Sequence, residues 1–190
     1  MQNAITSNRI GGRAVGALFF TGFGVLWLVL ALYVKQWLTA DNIFAVVCGA
    51  GLLLFGALAL LRHSKTLPAE PEDPAMSSTF RRINIIQWIA VAIVAFTFAR
   101  LRIDAYVMSA ITAIVGLHMF PLARVFRYPM HYVTGATLTA WAAGSVFLFP
   151  ADAMQGSTAL GTGLILWLSA LATILLAVRL LRTGDPASAS

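Results

Sequence analysis

The sequence predicts an all-α fold: a polytopic membrane protein built as a bundle of six transmembrane helices, with both termini in the cytoplasm. The first observation is composition. Of 190 residues, 59% are hydrophobic and 11% charged, whereas soluble domains carry about 25% charged residues, so the chain has too little polar surface to cover a water-soluble globule. The second is six apolar stretches, at 14–34, 42–61, 83–101, 103–120, 130–149 and 158–178. Each approaches the ~20 residues a helix needs to cross ~30 Å of hydrocarbon. The third is the placement of basic residues. In alternate inter-span segments, one side collects Arg9, Arg13, Arg62, Lys65, Arg81, Arg82, Arg124, Arg127, Arg179 and Arg182, and the other only Lys35, Arg100 and Arg102. Cytoplasmic loops retain Lys and Arg, so the richer side is expected inside.

The first stretch follows Arg9 and Arg13 as a secretory signal would, but it exceeds the roughly 7–15 residues of a signal core, and no small-x-small cleavage pattern follows it. It reads as a retained span. The second stretch holds Cys48, the chain's one cysteine, which excludes an intramolecular disulfide. Residues 62–82, with prolines and acids between basic ends, read as a flexible cytoplasmic linker. After it, 83–121 as one helix would reach about 58 Å, nearly twice the membrane core. Two helices with a tight connection fit instead, although "FARLRIDAY" offers no Gly or Pro for the turn. Arg100, Arg102 and Asp104 would close this external hairpin. The arginines complement one helix C-terminus and the aspartate the next N-terminus, and the three form a candidate external rim for attracting ions.

In the fourth stretch, Asp104, Met108, Ile111, Val115 and His118 share one helical face, which is expected to point into the bundle. Pro121 is expected to end this helix, leaving His118 at its cytoplasmic end. The corner "GLHMFPLARVFRYPMHYVTG" then concentrates His118, Arg124, Arg127, Tyr128, His131 and Tyr132. Arginines beside histidines and tyrosines offer hydrogen-bond donors to an anion or an anionic lipid headgroup. The fifth and sixth stretches complete the bundle, and residues 183–190 read as a disordered tail.

No Asp, Glu, Lys, Arg or His lies near the middle of any span, which disfavours a proton pump with an internal carboxylate. Polar groups at depth are mild ones, among them Ser109, Thr162, Ser169 and Thr173. Thr112, Thr137 and Ser145 are taken as candidates for a narrow polar pathway. Small residues at four-residue spacing, Gly12/Gly16 in the first span and Ala136/Ala140/Gly144 in the fifth, with Gly49, Gly51 and Gly56 in the second, are expected to pack helices closely. The indoles of Trp27, Trp141 and Trp167 lie deep and call for hydrogen-bond partners.

The chain carries no H-E-x-x-H, G-x-S-x-G, P-loop or C-x-x-C signature. No catalytic residue, metal site or cofactor is expected. Net charge of +6 is accounted for by orientation and anionic headgroups rather than nucleic acid. The expected partners are the lipid bilayer and a second copy of the chain or another membrane protein.

At "GLHMFPLARVFRYPMHYVTG", residues 116–135, the chain resembles a loosely defined set of small, six-span bacterial inner-membrane proteins in which a Gly-Leu-His-aromatic-Pro-Leu-Ala segment ends a span, with Met119 interrupting the pattern here. The resemblance spans about a tenth of the chain. It implies location and architecture, and it brings no activity with it. From the residues, the leading expectation is passage of a small solute or lipid along the bundle. The alternatives are an accessory or regulatory membrane protein that binds a partner through its helix faces, and an enzyme acting on lipid headgroups.

Overall fold

A computed structural model describes residues 6–68 and 74–183. These form six α-helices: α1 (Ser7–Val34), α2 (Ala40–Ser64), α3 (Pro74–Leu101), α4 (Val107–Val125), α5 (Met130–Leu148) and α6 (Ala151–Thr183), with a 3-10 turn at Asp104–Tyr106 before α4. Five are long and apolar enough to cross a membrane. The exception is α5, whose 19 residues include His131, three threonines and Ser145. Its polar face is turned inward, where helices α4 and α6 supply hydrogen-bond partners.

Helices α1, α2, α3 and α6 outrun their apolar stretches because amphipathic residues extend them beyond hydrocarbon depth. α3 begins at Pro74, inside the stretch expected as linker, and the proline suits a first helical position because its missing N–H would have no partner there. α6 runs for 33 residues, about 50 Å. The expected tail lies outside the described residues, apart from Thr183, which closes α6. One expectation is corrected outright: Pro121 does not end α4, which continues through it to Val125. A proline removes one intrahelical bond, to the Leu117 carbonyl. The cost is tolerated where neighbouring helices hold the segment.

Three connections are made the same way without glycine. Gln36, Arg102 and Arg127 take left-handed φ values of 57°, 56° and 48°. In each case the following N–H reaches back to close the helix: Trp37 to the Leu32 carbonyl (2.7 Å), Ile103 to Phe98 (3.0 Å) and Tyr128 to Ala123 (3.1 Å). The left-handed residue itself bonds three back, to Tyr33, Ala99 and Arg124. This is the double-bonded αL helix stop usually built on glycine, and it supplies the turn in "FARLRIDAY", which contains no Gly or Pro.

The helices sort into two units by their packing. α6 lies along α1, and α1 along α2; α4 lies along α5, with α3 on the outer side of α4. Inside each unit a glycine pair brings backbones together. A Cβ on Gly116 of α4 would stand 2.9 Å from the Gly135 carbonyl oxygen of α5, and one on Gly163 of α6 would stand 3.0 Å from that of Gly24 in α1. Of the small residues read from the sequence, Gly49 and Gly56 of α2 do seat side chains of α6, with an added Cβ 2.5 Å from the Trp167 ring and 3.4 Å from Ile174, whereas the regular spacings in α1 and α5 do not bring helices together. Gly12, Gly16 and Gly51 meet nothing within 4 Å, and Ala136 and Ala140 are exposed. α3 exposes Ile86, Trp88, Ile89, Ile93 and Phe96 outward, as a helix facing lipid does.

Candidate functional site: a hydroxyl seam and its basic mouth

The two units meet along one face of α6. Thr158, Thr162, Ser169 and Thr173 follow one another at steps of 4, 7 and 4 residues, so all four hydroxyls project from the same side. They span about 22 Å of helix. All are buried. Ser109 of α4 bonds both Ser145 of α5 (2.9 Å) and Thr158 (3.3 Å). Thr112 bonds Thr162 at 2.9 Å. Thr134 donates to Ser169 at 2.9 Å, and Tyr128 donates to Thr173 at 3.3 Å. The Trp141 indole N–H donates to the Thr158 carbonyl (3.0 Å), and the Gln155 amide to the Asp104 carbonyl (2.7 Å). Most side-chain hydrogen bonds between helices in the described residues therefore lie at this one seam, and all but Ser109–Ser145 join the units.

The seam is not one continuous polar file. Between the Thr112–Thr162 and Thr134–Ser169 pairs lie two turns of α6, about 10 Å. That level is occupied by Leu138 (0% exposed) and Leu166 (2%). Two surface grooves lie elsewhere. One of about 500 Å³ between α2 and α6 includes Gly56, His63, Ile174 and Arg182, and one of about 220 Å³ includes Lys35, Trp37, Asp152 and Gly156. Neither includes a seam residue.

At the basic end the seam finishes in an aromatic cluster. The ring of His131, on the first turn of α5, meets Tyr128 at 5.2 Å, Phe20 at 5.8 Å and Phe126 at 6.0 Å, each edge to face. The Arg13 guanidinium lies over the Tyr128 ring, 5.0 Å from its centre. His131 is 9% exposed, and its Nδ1 is the buried side-chain nitrogen or oxygen among the described residues that has no hydrogen-bond partner.

No family model, curated protein or solved structure matches this chain.

Of the corner residues singled out from sequence, Tyr128 and His131 come together. Arg124 and Arg127 are exposed at the α4–α5 turn. His118 stands about two turns inside α4, its Nδ1 held 2.6 Å from the Val115 carbonyl, and Tyr132 packs against Phe120 outside the cluster. The face carrying Met108, Ile111, Val115 and His118 is half-buried; the fully buried face is the neighbouring one, with Ser109, Thr112, Gly116 and Met119. Of the pathway residues, Thr112 and Ser145 lie in the seam. Thr137 does not: it is exposed and bonds its own helix at the Val133 carbonyl. Arg100, Arg102 and Asp104 are exposed around the α3–α4 turn, with Arg100 over the Phe96 ring at 5.0 Å. Among the described residues no three His, Cys, Asp or Glu side chains assemble as metal ligands would.

Sequence reasoning missed Phe20 and Phe126, which reach His131 from a distant helix and a loop, Arg13, which reaches Tyr128, and Thr134 and Thr158. The 4-7-4 spacing on α6 was a signal that could have found Thr158. Nothing in the local sequence ties Arg13 to Tyr128.

Proposed function

We propose that the protein moves a small polar solute across the bacterial cytoplasmic membrane along the seam between its two three-helix units, with the basic end in the cytoplasm. The observation that carries this reading is the chemical contrast between the contacts within units and the contact between them. Within a unit, glycines let backbones touch, and of the hydroxyl pairs named above one, Ser109–Ser145, is internal to a unit. Between units, hydroxyls bond hydroxyls, and each such bond is replaceable by one to a solute. In a bilayer no hydrophobic force drives helices together, and a bond of this kind contributes on average ~0.6 kcal/mol, so parting the units is inexpensive.

Leu138 and Leu166 divide the seam into a half-path on either side, as hydrophobic constrictions do in gated pathways. Rocking one unit against the other would open each half in turn. The seam offers O–H donors at every polar level and no acidic group, which suits neutral or anionic solutes better than cations.

The test uses single cysteines in a Cys48→Ala background, at Thr162 in one half and Ser169 in the other, with a membrane-impermeant maleimide applied to vesicles of each orientation. Each cysteine should label from its own end, and reconstituted vesicles should swell in glycerol or urea faster than empty ones. Two protected cysteines and no added flux would refute transport and leave a rigid bundle, whose role would then be that of an accessory protein acting through its outer helices. Orientation is tested by reporter fusions after Lys35, Lys65 and Asp152, where a cytoplasmic signal at Lys35 or Asp152 would reverse it.

A further inference from the structure

The mouth of the seam combines a buried polar atom without a partner and a half-buried cation. His131 Nδ1 is buried without a partner, and an unpaired buried polar atom is costly enough that native structures seldom keep one without use. Arg13, half-buried, spends its charge on the face of Tyr128. The three described acids, Asp41, Asp104 and Asp152, all stand at the opposite end of the bundle. In sequence, the segments on the side that includes Arg13 carry ten of the thirteen basic residues and four of the seven acids, Glu70, Glu72, Asp73 and Asp185, an excess of positive charge that favours anions.

We propose that Arg13, Tyr128 and His131 form a recognition site for the carboxylate of a small organic acid, with Phe20 and Phe126 enclosing its apolar body. The residue types fit in kind. A guanidinium presents a planar fork of donors that matches the two oxygens of a carboxylate. The imidazole adds one N–H when that proton resides on Nδ1. The Phe20 and Phe126 rings, packed on His131, supply apolar contact and no hydrogen-bond donor for a second charge. The hydroxyl pairs of Tyr128–Thr173 and Thr134–Ser169 come next along the seam and would receive the acid as the units part. The inference rests on the transport reading for that last step only; binding at the mouth stands apart from it.

The full-length protein in phosphatidylcholine nanodiscs is titrated with benzoate and acetate near neutral pH. Melting temperature and the His131 imidazole NMR signals are followed. Benzoate should raise the melting temperature saturably and shift the His131 signals, with acetate at least tenfold weaker for want of an apolar body. Arg13→Gln should abolish the response. Because that variant changes a half-buried position, two conservative ones accompany it: Arg13→Lys should weaken binding about tenfold by losing the fork, and His131→Asn, whose amide falls near Nδ1, should retain more of it than His131→Leu.

No saturable response to either acid overturns the site. A response to phosphatidylglycerol nanodiscs alone reassigns it to lipid headgroups and overturns the small-acid ligand. A benzoate response seen only after Glu70→Gln, Glu72→Gln and Asp73→Asn assigns the mouth to the linker's own carboxylates, and overturns it as well. Binding without benzoate flux above that of empty vesicles keeps the site and refutes passage of the acid along the seam; flux without binding at these residues overturns the site and leaves the transport reading standing.

Discussion

Placing alanine at Gly116 puts a methyl group where the α4–α5 contact has no space for one. The added Cβ would lie 2.8 Å from the Thr139 amide nitrogen and 2.9 Å from the Gly135 carbonyl oxygen. Both are backbone atoms, so no side-chain rotation relieves the clash, and the helices must part by about 0.5 Å or more to restore ordinary contact. A gap of that size forfeits roughly a quarter to a half of the dispersion energy of each contact it loosens, and Met119, Leu122 and Leu138 are buried nearby. Overpacking of this kind costs about 1–3 kcal/mol. Gly12→Ala is the matched control, because a Cβ there meets nothing within 4 Å and adds only helix propensity, up to ~1 kcal/mol. Reversible unfolding in mixed micelles should therefore place Gly116→Ala below wild type and Gly12→Ala at or above it. If Gly116→Ala proves as stable as Gly12→Ala, the close α4–α5 contact is not what holds that unit together.

Three further perturbations address the seam and the turns. Thr112→Val and Thr162→Val should each cost about 0.5–1.5 kcal/mol, and a double-mutant cycle should show a coupling near that size, since Thr112 bonds Thr162; zero coupling would mean that the pair does not tie the units. Leu138→Ala should destabilise by about 2–5 kcal/mol and raise passive solute flux by joining the two polar halves, so unchanged flux in a folded variant would count against Leu138 as a barrier. Gln36→Gly removes the left-handed strain of a non-glycine residue, worth about 1–2 kcal/mol, against ~0.5–1 kcal/mol for glycine's flexibility. A net gain of up to about 1 kcal/mol is expected in thermal unfolding, and a loss would show that Gln36 contributes more than its backbone angle.

Much of the fold was legible because its cause is local. A run of about 20 apolar residues can satisfy its backbone in hydrocarbon only as a helix, and that requirement does not depend on what the helix packs against. The splitting of 83–121 into two helices followed from length alone, and the charge bias grouped the helix ends correctly. The helix stops were harder to read. Proline and glycine are the usual punctuation, yet α4 passes through Pro121 and the turns rest on Gln36, Arg102 and Arg127.

The candidate site was half legible for a similar reason. Tyr128 and His131 are three residues apart, so a helical turn brings them together whatever the rest of the chain does. Thr112 and Thr137 look alike in sequence, but a rotation of about 100° per residue decides that one is buried against α6 and the other faces outward. That rotation is set by neighbouring helices. Gly116 with Gly135 and Gly24 with Gly163 let particular faces approach, whereas the more regular Gly12/Gly16 spacing meets no partner.

By itself, the sequence determined an all-helical membrane bundle, its helix number and its basic end, because composition and run length act on each segment separately. Only the tertiary structure decided which hydroxyls pair, that leucines interrupt them, and that Arg13 meets Tyr128 across more than a hundred residues of chain. Those contacts depend on the relative rotation and depth of packed helices, which no single segment encodes.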